Sequence, residues 1–348
     1  MSKQPGAFFN LSPAEDAVMG GVCYADCFDF PPRLDELPAY IPFEPMSPGE
    51  LETTVLGLVR QGRLHQAGDY YCLPGRESLA APRPEKEAIV REKWSLLKRY
   101  LPTMLGFSWV RSALLTGSLA AGNPTPRADA DLLLILDHRR MWLGYLLLRL
   151  WTRWMKKYID FCPNYAISDR SLSLLYPNLF TAIELSLAIP LKSGPTLRDF
   201  GQKNLWSRSL IPNASPLEEK MVDIAPANTL TCKLLNLLVN SPLGWILDKL
   251  EYYRLRWRTR GLYLPRKTVY KPHPPTRQYL IFQALVERLN RHGIAARKLR
   301  EHLEEQSVCL RTAARDWGIE VESLVPSNQG PAQRPHRPLD PVGAEKAN

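Results

Sequence analysis

Two aspartates, Asp129 and Asp131, stand one residue apart at the head of an apolar run, DADLLLIL. In a strand, residues i and i+2 point to the same face, so the two carboxylates aim together and Ala130 turns away. Side by side they repel, and such a pair raises a pKa or gathers a cation. Oxygen ligands select a hard ion, Mg²⁺ or Mn²⁺, with substrate phosphates completing the shell. Eleven residues upstream, Gly117-Ser118 stands where a strand gives way to a short helix over LAAG. Backbone N–H groups there, with the Ser118 hydroxyl, form an anion cradle. A phosphate cradle beside metal carboxylates implies chemistry on a polyphosphate. The plainer reading is a loop entering a strand with a chance acidic start. The gap, the strand context and the order of the flanking elements argue against it.

The elements that must position these residues run helix, strand, Gly-Ser, strand, helix, strand, over about residues 85–210. That order describes a small mixed α/β domain. EKEAIVREKWSLLKRYLPTML is an amphipathic helix, FSWVRSALLTGS a strand ending in Gly-Ser, and DADLLLIL the second strand. MWLGYLLLRLWTRWMKK is a helix and YIDFCPNYAIS a third strand. Pro-Asn pairs in CPNY and LIPN read as turns with local side-chain bonds. Arg127 lies just ahead of Asp129, either neutralising a triphosphate or as an exposed loop arginine. His138 reads as a loop histidine.

Gly-Ser, about ten residues, then Asp-x-Asp flanked by hydrophobics resembles the signature of the polymerase-beta-type nucleotidyltransferase superfamily. Residues 116–136 match it without departure. The resemblance implies that Gly117 and Ser118 hold the β- and γ-phosphates of an NTP, with ATP as the expected nucleotide. It implies that Asp129 and Asp131 hold two Mg²⁺ (or Mn²⁺) ions for in-line attack at the α-phosphorus. It also implies a third carboxylate on a later strand, for which Asp160 is the first choice and Asp137 and Glu184 are rivals. The layout over about residues 15–215 is similar to a group of bacterial nucleotidyltransferase-domain proteins, a likeness that names no acceptor. Protein side chain, small-molecule hydroxyl and nucleic-acid 3′ end all stay open.

Residues 12–79 read as three helices followed by a hairpin around Ala67-Gly68-Asp69, a winged-helix-like domain. Ser12-Pro13 and Ser47-Pro48 start the first and third helices, and PPRLDELPAYI reads as the second. The third helix offers Glu50 and Glu52 against Arg60, which opposes phosphate contact. DNA is therefore a secondary partner, behind a regulatory or protein-contact role. Residues 215–322 read as a helical domain. Residues 1–11 and 325–348, rich in Pro, Gly and polar types, read as disordered tails. The fold class expected is α+β, a small mixed-sheet core between these two domains.

A net charge of +10 over 348 residues favours polyanionic partners. From Trp245 to Arg300 there are 14 Lys/Arg against three Asp/Glu. Arg254, Arg256, Arg258 and Arg260 alternate with Tyr253, Leu255 and Trp257. That suits single-stranded nucleic acid, but period two splays the arginines around a helix, so a solvated basic helix end is the first reading. The six cysteines are scattered without zinc spacing, and MSKQPGAFFNLSP lacks a signal-peptide pattern. The run Met141 to Ile159 contains Arg149, Arg153, Lys156 and Lys157, which excludes a span there. Reduced thiols and a cytoplasmic protein are expected. The rivals to a transferase are a nucleotide-sensing regulator that binds DNA and a nucleic-acid end-modifying enzyme.

Overall fold

The computed structural model of the chain describes residues 11–259, 268–270 and 275–315. The two tails expected to be disordered, except Leu11, and Arg260 lie outside these residues. Two Ser-Pro-x-Glu sequences open the first two helices, α1 (Pro13–Asp26) and α2 (Pro48–Arg60), each with a full capping box. Between them the expected second helix is only a 3₁₀ turn, Leu37–Ala39. Pro38 and Pro42 lack the N–H groups a longer helix would need. The hairpin forms as expected, β1 (His65–Ala67) and β2 (Tyr70–Cys72), with Gly68 at φ +64° in its turn.

The Pro-rich stretch at 79–87 is not a loose linker. Pro82 and Pro84 flank the start of α3 (Arg83–Leu105), where missing N–H groups cost nothing. Then follow β3 (Val110–Thr116), the single turn α4 (Gly117–Ala120), β4 (Ala130–Leu136), α5 (Met141–Met155) and β5 (Phe161–Ser168). Residues 163–164 of CPNY lie inside β5 rather than in a turn. The register slips between Asp131 and Leu133, and this irregularity accommodates the proline. Next come α6 (Leu179–Leu187), β6 (Ile189–Pro190), α7 (Pro195–Lys203) and α8 (Trp206–Leu210). The chain continues through α9 (Leu230–Asn240), α10 (Pro242–Arg258), β7 (Val269–Tyr270), α11 (Thr276–Arg291) and α12 (Arg297–Arg315). The fold is mixed α and β with one small mixed sheet of order β6-β3-β4-β5-β7. Only β4 and β5 run parallel, joined by the crossover helix α5. The C-terminal segment is not purely helical, because β7 pairs with β5 and closes that edge.

Both faces of the sheet are buried. Ala113, Leu115, Leu132, Leu134 and Leu136 pack against α3, α5, α9 and α10. Leu114, Leu133, Ile135 and Ile167 pack on the opposite side with α6 and α7. A separate core joins α1 and α2 to Leu179 and Ile183 of α6, Phe282 and Leu285 of α11, and Leu303 of α12. Segments far apart in sequence thus share one apolar interior.

Ion pairs fasten the same segments. Asp26, at the end of α1, takes Arg76 at 2.8 Å and Arg288 of α11 at 2.6 Å. Arg83 is 1% exposed, donates to Pro31 O and Glu36, and lies over the Phe30 ring. Removing one member of a buried, multiply bonded group leaves uncompensated charge. Asp26→Asn should therefore lower unfolding free energy by about 3 kcal/mol. Urea denaturation followed by far-UV circular dichroism measures this, and a loss under about 0.5 kcal/mol would show that solvent reaches the cluster.

Candidate functional site

The candidate site is built where β3 ends. Thr116 stands opposite Asp131 in the antiparallel register, and Gly117 then turns the chain into α4 with φ +69°. Its backbone lies against the Asp131 carboxylate, since a Cβ at position 117 would stand 2.1 Å from Asp131 Oδ2. Both the conformation and the approach demand glycine. The loop after Ser118 is tied down: Asn123 N donates to Ser118 O at 2.8 Å and Asn123 Nδ2 to Phe28 O at 2.9 Å. Lys86 of α3 donates to Asn123 Oδ1 at 2.6 Å. The Gly-Ser turn is thus anchored to α3 and to the segment just after α1.

Asp129 and Asp131 converge as their spacing predicts, and the third member of the group is Cys162. Ligand atoms of all three lie within 4.8 Å of one another. Cys162 faces Asp131 directly in the parallel register of β4 and β5. Burial, then the charges of Asp129 and Glu184, push the Asp131 carboxyl up to about 7, against the pull of Arg277 and a bond from the Cys162 thiol. Burial and the two neighbouring carboxylates push the Cys162 thiol far up. It is a protonated donor, a poor partner for a hard ion. The two carboxylates have the chemistry to hold one Mg²⁺ or Mn²⁺.

Asp160 is not brought into this group. It stands one residue before β5, its side chain 44% exposed and 3.2 Å from Lys156 Nζ. Its backbone carbonyl accepts from Ala130 N at 2.7 Å, which locks the mouth of β4 to β5. Asp137 lies at the far end of β4. There burial pushes its pKa up, but the Arg139 N–H and the Arg111 guanidinium more than offset this. With His138 and Asp169 it forms a self-satisfied network, His138 Nδ1 lying 3.0 Å from Asp169 Oδ1. Glu184 is different, for its charge reaches Asp131 from α6. Arg127 is exposed in the loop between α4 and β4.

Sequence reading missed Cys162 and Arg277. Arg277 is an exposed residue of α11 whose charge acts on Asp131. Its placement follows from Asn178, which caps α6 through Thr181 N and donates to the buried Gln278 at 2.9 Å. One asparagine thereby fixes the helix carrying Glu184 and the helix carrying Arg277. LIPN is also a long-range device: Asn213 Oδ1 accepts from Met46 N and its Nδ2 donates to Glu44 O.

Two substitutions probe this geometry. An acid whose pKa rises from 3.8 to about 7 on folding keeps a proton that the unfolded chain has lost. The metal-free protein should lose stability as pH climbs from about 4 to 7 and carry the full cost above that. Asp131→Asn, neutral throughout, should differ least from the parent near pH 4 in EDTA, where the parent carboxyl is protonated folded and largely protonated unfolded. At pH 8.5 it should be more stable by roughly 1–3 kcal/mol, a partly solvated share of the shift. Equal melting temperatures at pH 8.5 would mean that Asp131 carries no buried charge. Gly117→Ala should destabilise by about 1–3 kcal/mol, read by the same melts, because strain at positive φ adds to the clash. A neutral result there would show that the turn relaxes freely.

Comparison of the chain with protein-family models, with curated proteins and with solved structures gives no match.

Proposed function

We propose that the protein is a Mg²⁺-dependent nucleotidyltransferase that moves an NMP from an NTP to an acceptor hydroxyl. The observation that carries this reading is the contact of the Gly117 backbone with Asp131, beside Asp129. A triphosphate seated on the Gly117-Ser118 turn would have its phosphates next to both carboxylates. Ser118 donates to a phosphate oxygen, and Asp129 and Asp131 hold the divalent ion. That ion, when bound, neutralises phosphate charge and polarises the α-phosphorus. Arg277, and Arg127 from the loop, add positive charge at the rim. The rest of the rate comes from positioning. Glu184, whose charge already acts on Asp131, is better placed than Asp160 to take the proton of the attacking hydroxyl.

A second reading is favoured by one observation. A protonated thiol, Cys162, stands directly opposite Asp131, where a carboxylate would complete a two-metal site. A chain with this site binds a nucleotide with one ion and turns it over slowly or not at all, as a sensor would. The exposed side of α2 carries Glu50 and Glu52 and offers DNA little.

Calorimetry with ATP, GTP, CTP and UTP, with and without Mg²⁺, tests both readings. Metal-dependent binding of at least one is expected, and its absence for all four overturns both. Pyrophosphate release with labelled nucleotide and a cell lysate then separates them. In a transferase, Asp129→Asn and Asp131→Asn should abolish release. Glu184→Gln should lower it at least about tenfold, and Asp160→Asn should change it less than about twofold. The reverse order of the last two would return the proton-accepting role to Asp160.

A further inference from the structure

Helices α9 and α10 both expose large apolar side chains, and α10 buries its acids. On a water-facing helix the polar side chains point to solvent. Here the half-buried Asn236 of α9 accepts from Ser108 N at 2.7 Å, and Asn240, exposed at the helix end, donates to Ser108 Oγ at 2.9 Å. Leu230, Leu234 and Leu237 of the same helix are exposed, Leu237 by 73%. In α10, Asp248 is buried and accepts the N–H groups of Trp142 and Leu143 at the start of α5. Glu251 is buried beside it and holds Arg254. The outward face is a stripe of Leu243, Ile246, Leu250, Tyr253 and Trp257, the last 84% exposed. Its spacing of three and four residues is one helix face.

The charges follow the stripe. At 100° per residue, Arg254 and Arg258 fall along one edge of it and Lys249 along the other, with Arg256 beyond. No acid lies between Glu251 and Glu287 in the sequence, against eight Lys/Arg. Arg254, Arg256 and Arg258, splayed as the sequence suggests, therefore flank the apolar stripe on both sides. Trp257, Tyr253 and Trp245 add the amphipathic rings that settle at a lipid headgroup boundary.

We propose that the α9–α10 surface docks on an anionic lipid bilayer, the two helices lying along the interface. By length and composition α9 and α10 could cross only together, as a bent pair. Among the described residues no single helix is long and apolar enough to cross, and α9 and α10 meet at a bend of 76°. Basic side chains along both edges hold α10 at headgroup depth, with its apolar stripe reaching the acyl boundary. A second copy of the chain on this face would set basic edges against basic edges, which like-charge repulsion opposes.

Flotation of the full chain with vesicles is the test. One set is phosphatidylcholine, the other phosphatidylcholine with phosphatidylglycerol at 3:1. The chain should float with the anionic set, at least fivefold more than with the zwitterionic set. It should release several-fold as NaCl rises from 0.05 to 0.5 M. Leu250→Glu with Trp257→Glu, both at exposed positions, should keep the melting temperature and lose at least tenfold in flotation. Lys249→Gln with Arg258→Gln should keep the stripe but lose the preference for anionic lipid. Failure of the parent to float, equal flotation on both vesicle types, or equal flotation of parent and Leu250/Trp257 variant overturns the proposal. So does a dimer, seen by sedimentation without lipid, that the Leu250/Trp257 variant dissolves while the parent ignores both vesicle types.

Discussion

The central strand β4 is apolar on both faces, and its carboxylates can appear only at its mouth. Leu132, Leu134 and Leu136 fill one core while Leu133 and Ile135 fill the other. Any charge further along would be stranded between two layers. Asp129 and Asp131 sit where the strand emerges, and even there burial keeps Asp131 near neutral-pH titration. The neighbours of that mouth are then dictated by pairing. Antiparallel β3 delivers the Gly117 turn to one side, and parallel β5 delivers Cys162 to the other. The site is a consequence of sheet order as much as of motif.

Holding the mouth open falls to polar side chains that cross between segments. Asn123 ties the turn after Ser118 to α3 and to the segment following α1, and Asn178 ties α6 to α11. Asp26 and Arg83 fasten the N-terminal helices to the hairpin region, α3 and α11. Asp26, Arg83 and Asn178 are buried, all four are multiply bonded, and each would be costly to leave unpaired. Such contacts confer geometric specificity on a site whose own two carboxylates repel.

The strands, the long helices and the Gly-Ser/Asp-x-Asp pairing were legible because each rests on local pattern: a two-residue spacing, a capping box, a glycine at a turn. The capping boxes at Ser12 and Ser47 and the hairpin at Gly68 are of that kind. What escaped depends on long-range register. Asp160 and Cys162 are two residues apart, and alternation alone puts both on one side of a strand. Lys156, four residues earlier, draws Asp160 outward, while Cys162 meets Asp131 across the ladder. Pro163 looked like a turn residue because nothing local announces the slip in register that receives it. Arg277 reaches Asp131 through tertiary packing of α11, which no sequence window contains, and Glu184, one of two rivals to Asp160 in the sequence, is singled out only by the placement of α6.

The basic C-terminal segment shows how one pattern supports opposite readings until burial is known. Alternating arginine and aromatic residues describe a polyanion groove as well as a solvated helix end. The deciding fact is which side of α10 faces the protein. Asp248 and Glu251 are drawn inward, Asp248 by the N–H groups that open α5, and a helix has only one inward side. Once those acids are buried, the leucine and tryptophan positions must face out, and the cations must border them. A solvated helix end would expose its acids with its arginines. This one buries them, Glu251 holding Arg254 on one edge, and leaves an apolar stripe with Arg258, Lys249 and Arg256 at its borders, an arrangement whose electrostatic complement is a negative surface that also accepts hydrocarbon.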